Sequence, residues 1–215
     1  MAWVNPSNVA TGDVLTASNW NQAVVENARI GQPVFTNEAA RDAAVGTPSE
    51  GMTAYLTAST VAAATGATTA VPTGVTTIYT GSVWVCTTPV GAYSNTSAST
   101  TSTSYVTTLT SDSTAVSVAL VTGTTALVMI TASANATVAS TLGHAISVSG
   151  ATTLSAADST GSLATVSATN YWVNPCRTYV LSGLTAGTNT FTLNYKTSAG
   201  TATWGHRALT VQGVA

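Results

Sequence analysis

The 215-residue chain has 7 Asp and Glu against 5 Lys and Arg, a formal charge of -2, and only 6% charged residues, where ordinary domains have about a quarter. Its 44 Thr and 23 Ser, 45% hydrophobic residues and low net charge exclude a disordered chain, which combines low hydrophobicity with high charge. Five scattered cations, Arg29, Arg41, Arg177, Lys196 and Arg207, exclude a nucleic-acid partner, which needs clustered Lys and Arg, and no apolar run approaches the roughly 20 residues of a membrane-spanning helix.

The N-terminus, Met1 to Pro6, has neither a basic n-region nor a signal-length apolar run, so the expected product is made in the cytoplasm without a signal peptide and is not inserted in a membrane. The first predicted element is a helix capped by Ser18 or Thr16, with Trp20, Val24, Asn27 and Ala28 at i, i+4, i+7 and i+8 and Gly31 as its C′ residue. A helix this short is marginal alone in water. Its stripe of Trp20, Val24 and Ala28 therefore docks either on its own domain or on the same helix of symmetry mates, which makes those three residues candidate oligomer contacts.

Thr36 or Asn37 can cap a second, two-turn helix through Val45, with Glu38 at the positive end of its dipole. Pro48–Gly51 then turns the chain into a strand, Met52–Leu56, and Thr76–Tyr79 meets Val83–Val85 in a hairpin across Thr80-Gly81-Ser82. Between these strands, residues 57–74 have no charge and no clear period, and are expected to form a long surface loop.

From about residue 89 the chain becomes a series of short β-branched runs separated by Gly, Asn or Ser. Strands are predicted at Ala115–Leu120, Ala126–Ala132, Ala145–Val148, Arg177–Leu181, Thr190–Lys196 and Ala208–Val211, with turns at Gly123, Gly143, Gly150, Gly183, Gly187 and Gly200. In the clearest strand Phe191, Leu193 and Tyr195 share one face, and hydroxyl, amide and amine groups share the other. The fold class is mainly β: short N-terminal helices and a small β-hairpin module, then a C-terminal antiparallel β-sandwich, jelly-roll-like. Three parts are expected: an anchoring segment at 1–35, the helix and small sheet at 36–88, and the sandwich at 89–215.

Catalytic chemistry is not signalled. No G-x-S-x-G elbow is present, and His144 and His206, each beside a glycine, read as turn or interface residues. Asp112 and Asp158 could in principle form a glycosidase pair, but each sits among Ser and Thr in a turn-like context where Asp commonly caps its own backbone. Cys86 and Cys176 are 90 positions apart with no His at ligand spacing, and read as half-buried small residues, so no metal or cofactor is expected. The aromatic residues Tyr171, Trp172 and Trp204, with His206, are the candidate glycan or receptor contacts, and the competing role for such rings is core or seam packing.

Thr11–Asn21 leading into Val24–Asn27, then Pro33–Ala44, Pro48–Leu56 and Ile78–Val85 with its Tyr79, Gly81-Ser82 and Trp84, resemble the N-terminal modules of tailed-bacteriophage virion proteins, notably minor tail and fibre proteins of phages of actinobacteria. The end of the chain, Gly183–Lys196 and Trp204–Val211, is similar to C-terminal β-sandwich domains of phage fibres and capsid spikes. The resemblance implies a non-enzymatic virion structural protein, a homotrimer that contacts other virion proteins. It leaves open a minor tail or short fibre protein, a capsid decoration or head fibre, and a carbohydrate-binding module for host cell-surface glycan. The weak charge between Gly51 and Cys176, where only Asp112 and Asp158 are ionised, independently favours association over repulsion.

Overall fold

The computed structural model describes residues 32–167 and 169–215. Trp20, Val24 and Ala28, with the helix predicted around them, lie outside the described residues.

A four-stranded sheet comes first, in the order β1 (Val34–Phe35), β2 (Thr53–Leu56), β5 (Val75–Tyr79), β6 (Trp84–Cys86). Its helix α1 (Glu38–Ala44) is capped by Asn37, whose side chain accepts the Ala40 amide at 3.0 Å. One turn on, α1 buries Arg41, with the guanidinium 4.5 Å over the Trp84 ring and a 2.9 Å ion pair to Asp42. The expected hairpin forms: Tyr79 pairs with Trp84, their rings 5.4 Å apart, across a turn in which Gly81 takes φ +86°. That angle lies in the left-handed region where only a residue without Cβ is unstrained.

The segment 57–74 is not a loop. It contains β3 (Ala62–Thr65) and β4 (Thr68–Ala70), which join two different sheets. Glu38 steers its entry, accepting from Ser59 Oγ at 2.6 Å and from the amides of Thr60 and Val61 at 2.8 and 3.0 Å. Burial would raise that carboxyl, but these hydrogen bonds hold it below its ordinary value. At the bend between the strands a Cβ on Gly66 would lie 2.9 Å from the Tyr93 carbonyl oxygen, so the chain passes close enough to pair only because that position is bare. Alanine and threonine runs carry no strong apolar alternation, and backbone ladders to β9 and β7, with Ala62 alone of the two strands buried in the core, hold them here.

The remaining strands build two facing sheets. One follows the order β13 (Cys176–Ser182), β10 (Thr125–Ala136), β15 (Ala202–Val214), β7 (Val90–Ser94), β4, with β8 (Ala98–Thr100) also on β15. The other follows β12 (Gly161–Val166), β11 (Ser140–Gly150), β14 (Gly187–Thr197), β9 (Ser117–Thr122), β3. This is an antiparallel β-sandwich, and the two added strands β3 and β4 close the same side of both sheets. Inward residues alternate along each strand: Ala126, Val128 and Ile130 on β10, Leu142 and Ile146 on β11, Phe191 and Leu193 on β14 are all fully buried. Leu56, Val75 and Cys86 of the small sheet belong to that same core. No boundary at 88/89 separates two cores.

Not every expected turn glycine lies outside the strands: Gly150 ends β11 and Gly187 begins β14. Gly143 lies inside β11, and its neighbour His144 faces the core, fully buried, with its ring edge-on to Trp204 at 5.8 Å. Glycine before histidine resembles a turn in sequence, yet the register places Gly143 on the outer face, where neighbouring side chains fill the space a Cβ would take. The two cysteines also differ from one another: Cys86 is buried, with burial pushing its thiol up, and Cys176 is exposed.

Candidate functional site

A cavity of about 540 Å³ lies on the outer face of the five-stranded sheet. Its floor follows from period two. With Phe191, Leu193 and Tyr195 buried in the core, Asn194 and Lys196 of β14 must face outward, and the ladder pairs them with Ala145 and Gly143 of β11. One wall is residues 103–105, held against β14 by reciprocal backbone hydrogen bonds between Val106 and Tyr195 at 3.0 and 2.9 Å. The other wall is Ser155 and Ala156, following Leu154, which bridges back to Val148.

Three side chains cross one end of this groove. The Tyr105 hydroxyl donates to Asp158 Oδ1 at 2.8 Å, Lys196 Nζ lies 2.5 Å from the same oxygen, and the ammonium sits 4.7 Å over the Tyr105 ring. Hydrogen bonds from Lys196 and Tyr105 hold the Asp158 carboxyl below its usual range, while burial and the Asp158 hydrogen bond push the Tyr105 phenol up, so it stays a donor. Beyond this bar is a second cavity of about 110 Å³, which also reaches Thr103 and Lys196. Gly143 makes the arrangement possible: a Cβ there would stand 2.9 Å from Tyr105 Oη and 3.1 Å from Lys196 Cε.

Of these groove residues only Asp158 was singled out from sequence, as half of a possible glycosidase pair. The signal available was the polar face of β14, with its amide and amine. What covers that face comes from residues 155–156 and 103–105, about 40 and about 90 positions away, where no local pattern marks Tyr105.

The aromatic candidates divide. Tyr171 and Trp172 are exposed, at 63% and 46%, on the segment entering β13. Trp204 is 0% exposed, so it cannot touch a glycan or receptor; it packs at 5.4 Å on Tyr195 and fills the sandwich. A β-bulge decides this. Between Thr131 and Ser133 of β10 the facing residues of β15 run from Ala208 to Gly205, one residue too many, and His206 absorbs it at φ +46°. Inward parity on β15 therefore changes from Ala202 and Trp204 to Arg207 and Leu209, and His206 turns outward to meet the Tyr93 hydroxyl at 2.8 Å. Trp172 is next to Val173, which pairs with Ala134 of β10. In ladder order it is thus two strands from the His206 bulge, and Ser133, hydrogen-bonded to Asn174 at 2.6 Å, lies between.

Asp112 and Asp158 have different hydrogen-bond partners. Asp112 forms a buried ion pair with Arg207, accepts from Ser94 at 2.8 Å and from the Thr114 amide at 3.0 Å, while Asp158 belongs to the groove. Burial alone would raise the Asp112 carboxyl, but Ser94, Thr114 and Arg207 hold it down. His144 has no hydrogen-bond partner at either ring nitrogen, and burial pushes it down to about 4. Among the described residues no cluster of three or more His, Cys, Asp or Glu could hold a metal.

The six-stranded sheet presents the opposite outer surface. The register brings Val180 and Thr178 of β13, Leu127 and Met129 of β10, and Gln212 and Thr210 of β15 onto one face. Continued across Gly91 and Tyr93 of β7 to Thr68 and Ala70 of β4, that face carries no Asp, Glu, Lys or Arg. Val180 is 61% exposed and Met129 46%.

No family model and no curated protein matches the chain. Among solved structures it is similar to Eiger TNF of S. frugiperda, with 12% identity over 48% of this chain and 66% of that one, at a TM-score of 0.36. It is also similar to the CBM22-1 and GH10 modules of a Clostridium thermocellum endo-1,4-β-D-xylanase complexed with xylohexaose, at 10% identity over 55% and 26% of the two chains and a TM-score of 0.30. A third similarity is to the enzymatically active domain of tailspike protein 4 of bacteriophage CBA120, at 12% identity over 56% and 19% and a TM-score of 0.28. The chain thus spans less than two thirds of the length of each of the three.

Proposed function

We propose that the chain is a non-enzymatic structural protein of a bacteriophage virion, a minor tail or short fibre protein that attaches through its N-terminal third and displays a jelly-roll-like sandwich outward as a homotrimer. The observation that carries the reading is the charge-free outer face of the six-stranded sheet. A monomer that lives alone in solution keeps its exposed faces charged and free of contiguous apolar surface. Here Val180 and Met129 stand exposed beside Leu127 in a field of Thr, Ser and Gln, and packing of these uncharged faces against neighbouring copies around a three-fold axis covers them without leaving an ion unpaired. The virion class rests on the residue resemblance of Thr11–Asn21, Val24–Asn27, Pro33–Ala44, Pro48–Leu56 and Ile78–Val85.

Light scattering on the full chain is expected to give three chain masses at about 10 μM, well above a micromolar dissociation constant. Val180→Glu, which puts a carboxylate beside Leu127, is expected to give a folded monomer with an unchanged β-type circular dichroism spectrum. A wild-type monomer refutes the trimer. Peptides of the chain in purified particles of the encoding phage support the virion assignment, and their absence refutes it. Antibody labelling on tails rather than heads separates a tail protein from a capsid decoration.

A further inference from the structure

We propose that the groove on the five-stranded sheet is a binding site for a neutral, polyhydroxylated ligand, an oligosaccharide, that holds its ligand without cleaving it. This goes beyond the structural role and stands without it, because every residue of the groove comes from one chain.

The lining specifies the ligand. Thr103, Ser104, Ser147 and Ser155, all hydroxyl residues, line the groove together with Asn194. The Asn194 Nδ2 donates to Ser147 Oγ at 2.9 Å and to the Thr192 carbonyl at 2.8 Å, which fixes the amide plane and leaves Oδ1 as its acceptor toward the groove. Such donors and acceptors at a buried floor match vicinal hydroxyls and would be left unpaired by an apolar ligand. Tyr105 adds a half-buried aromatic wall against which the C–H face of a sugar ring can lie.

Charge sets the class within polar ligands. Lys196 is neutralised by Asp158 at 2.5 Å, so an anionic ligand that approaches the ammonium meets the carboxylate and a cationic one meets the reverse. A neutral ligand disturbs neither. Size points the same way: about 540 Å³ on one side of the Tyr105–Asp158–Lys196 bar and about 110 Å³ on the other suit a short chain of rings better than a single ring, within the roughly 300–1,000 Å³ of small-ligand sites.

Retention without hydrolysis follows from the carboxylate count. Glycoside cleavage uses two carboxyl groups facing one bond, and Asp158 is the sole carboxylate lining either cavity among the described residues. Asp112 is held by Arg207, Ser94 and Thr114 elsewhere in the sandwich.

Saturation-transfer NMR on the full chain tests the site with maltotriose, chitotriose and galactotriose as neutral probes and trigalacturonate as the anionic one. At least one neutral probe is expected to bind with a dissociation constant on the order of 1 mM. Tyr105→Ala and Ser155→Trp, the second a filling substitution on an exposed wall, should each weaken it at least tenfold, while Trp172→Ala leaves it unchanged. Thermal melting confirms that each variant folds, and Ser155→Trp carries the test if Tyr105→Ala does not. Binding with no release of shorter sugars on overnight incubation is the expected result. The proposal is overturned by any of three results: no neutral probe binds, Ser155→Trp binds as wild type does, or trigalacturonate binds best. Absence of the chain from purified particles with sugar binding retained would refute the virion reading alone.

Discussion

Replacing His144 by methionine should raise stability at pH 7 and raise it further at pH 5. The ring is fully buried, neither nitrogen has a hydrogen-bond partner, and its nearest aromatic neighbour is the edge of Trp204 at 5.8 Å. Methionine has similar volume, adapts to irregular space and makes favourable contacts with aromatic edges. Removing two unpaired buried nitrogens is worth about 1–2 kcal/mol at neutral pH. The pH-dependent part follows from linkage. Burial pushes the folded imidazole down to about 4, whereas in the unfolded chain it titrates near 6.5. Between those values the unfolded state binds more protons, so wild-type stability falls as pH falls through 6.5 and levels off below about 4. With about 1.4 kcal/mol per pH unit, the loss from pH 7 to pH 5 is about 2 kcal/mol, and the full loss about 3. Glu38, Asp112 and Asp158 are held low and lose their contributions only at more acid pH, equally in both proteins. Urea unfolding at pH 7, 6 and 5, at one fixed protein concentration, measures the gap between wild type and His144→Met. A gap that does not widen on acidification would refute the reasoning, since it would mean the imidazole is hydrated or charged in the folded protein.

Three further outcomes are expected. Asp112→Ala leaves the Arg207 guanidinium, whose side chain is 1% exposed, without its partner, and should cost about 3–5 kcal/mol in urea unfolding; the double variant with Arg207→Met should recover most of that. Glu38→Ala removes the acceptor of Ser59, Thr60 and Val61 and should cost about 1–2 kcal/mol, read as faster proteolytic nicking around residues 57–61. Gly150→Ala should destabilise by about 1–3 kcal/mol, because φ there is +100° and a Cβ would lie 2.5 Å from the Thr188 carbonyl oxygen; a variant that melts with wild type would refute the assigned geometry.

The elements legible in sequence were those with a local period or a demanding turn. β14 could be read from Phe191, Leu193 and Tyr195 alone, and the hairpin from Tyr79, Gly81 and Trp84, because alternation and a positive φ are written within a few consecutive residues. β3 and β4 could not, since Ala and Thr on both faces give the same pattern in a strand as in a loop, and only their partners β9 and β7 distinguish the two. Trp172 and Trp204 are indistinguishable by residue type, yet one is exposed and the other sealed in the core. The single extra residue at His206 sets the parity of β15, and a bulge is a property of two paired strands rather than of one. The groove is further still from local pattern, because Tyr105, Ser147, Ser155 and Asn194 meet only when strands distant in sequence pair in register. Composition determined by itself that this chain is a sparsely charged β protein built to keep its faces wet with hydroxyls. Which of those faces became core, groove or bare sheet was decided by tertiary pairing, because a side chain's period is local and its surroundings are not.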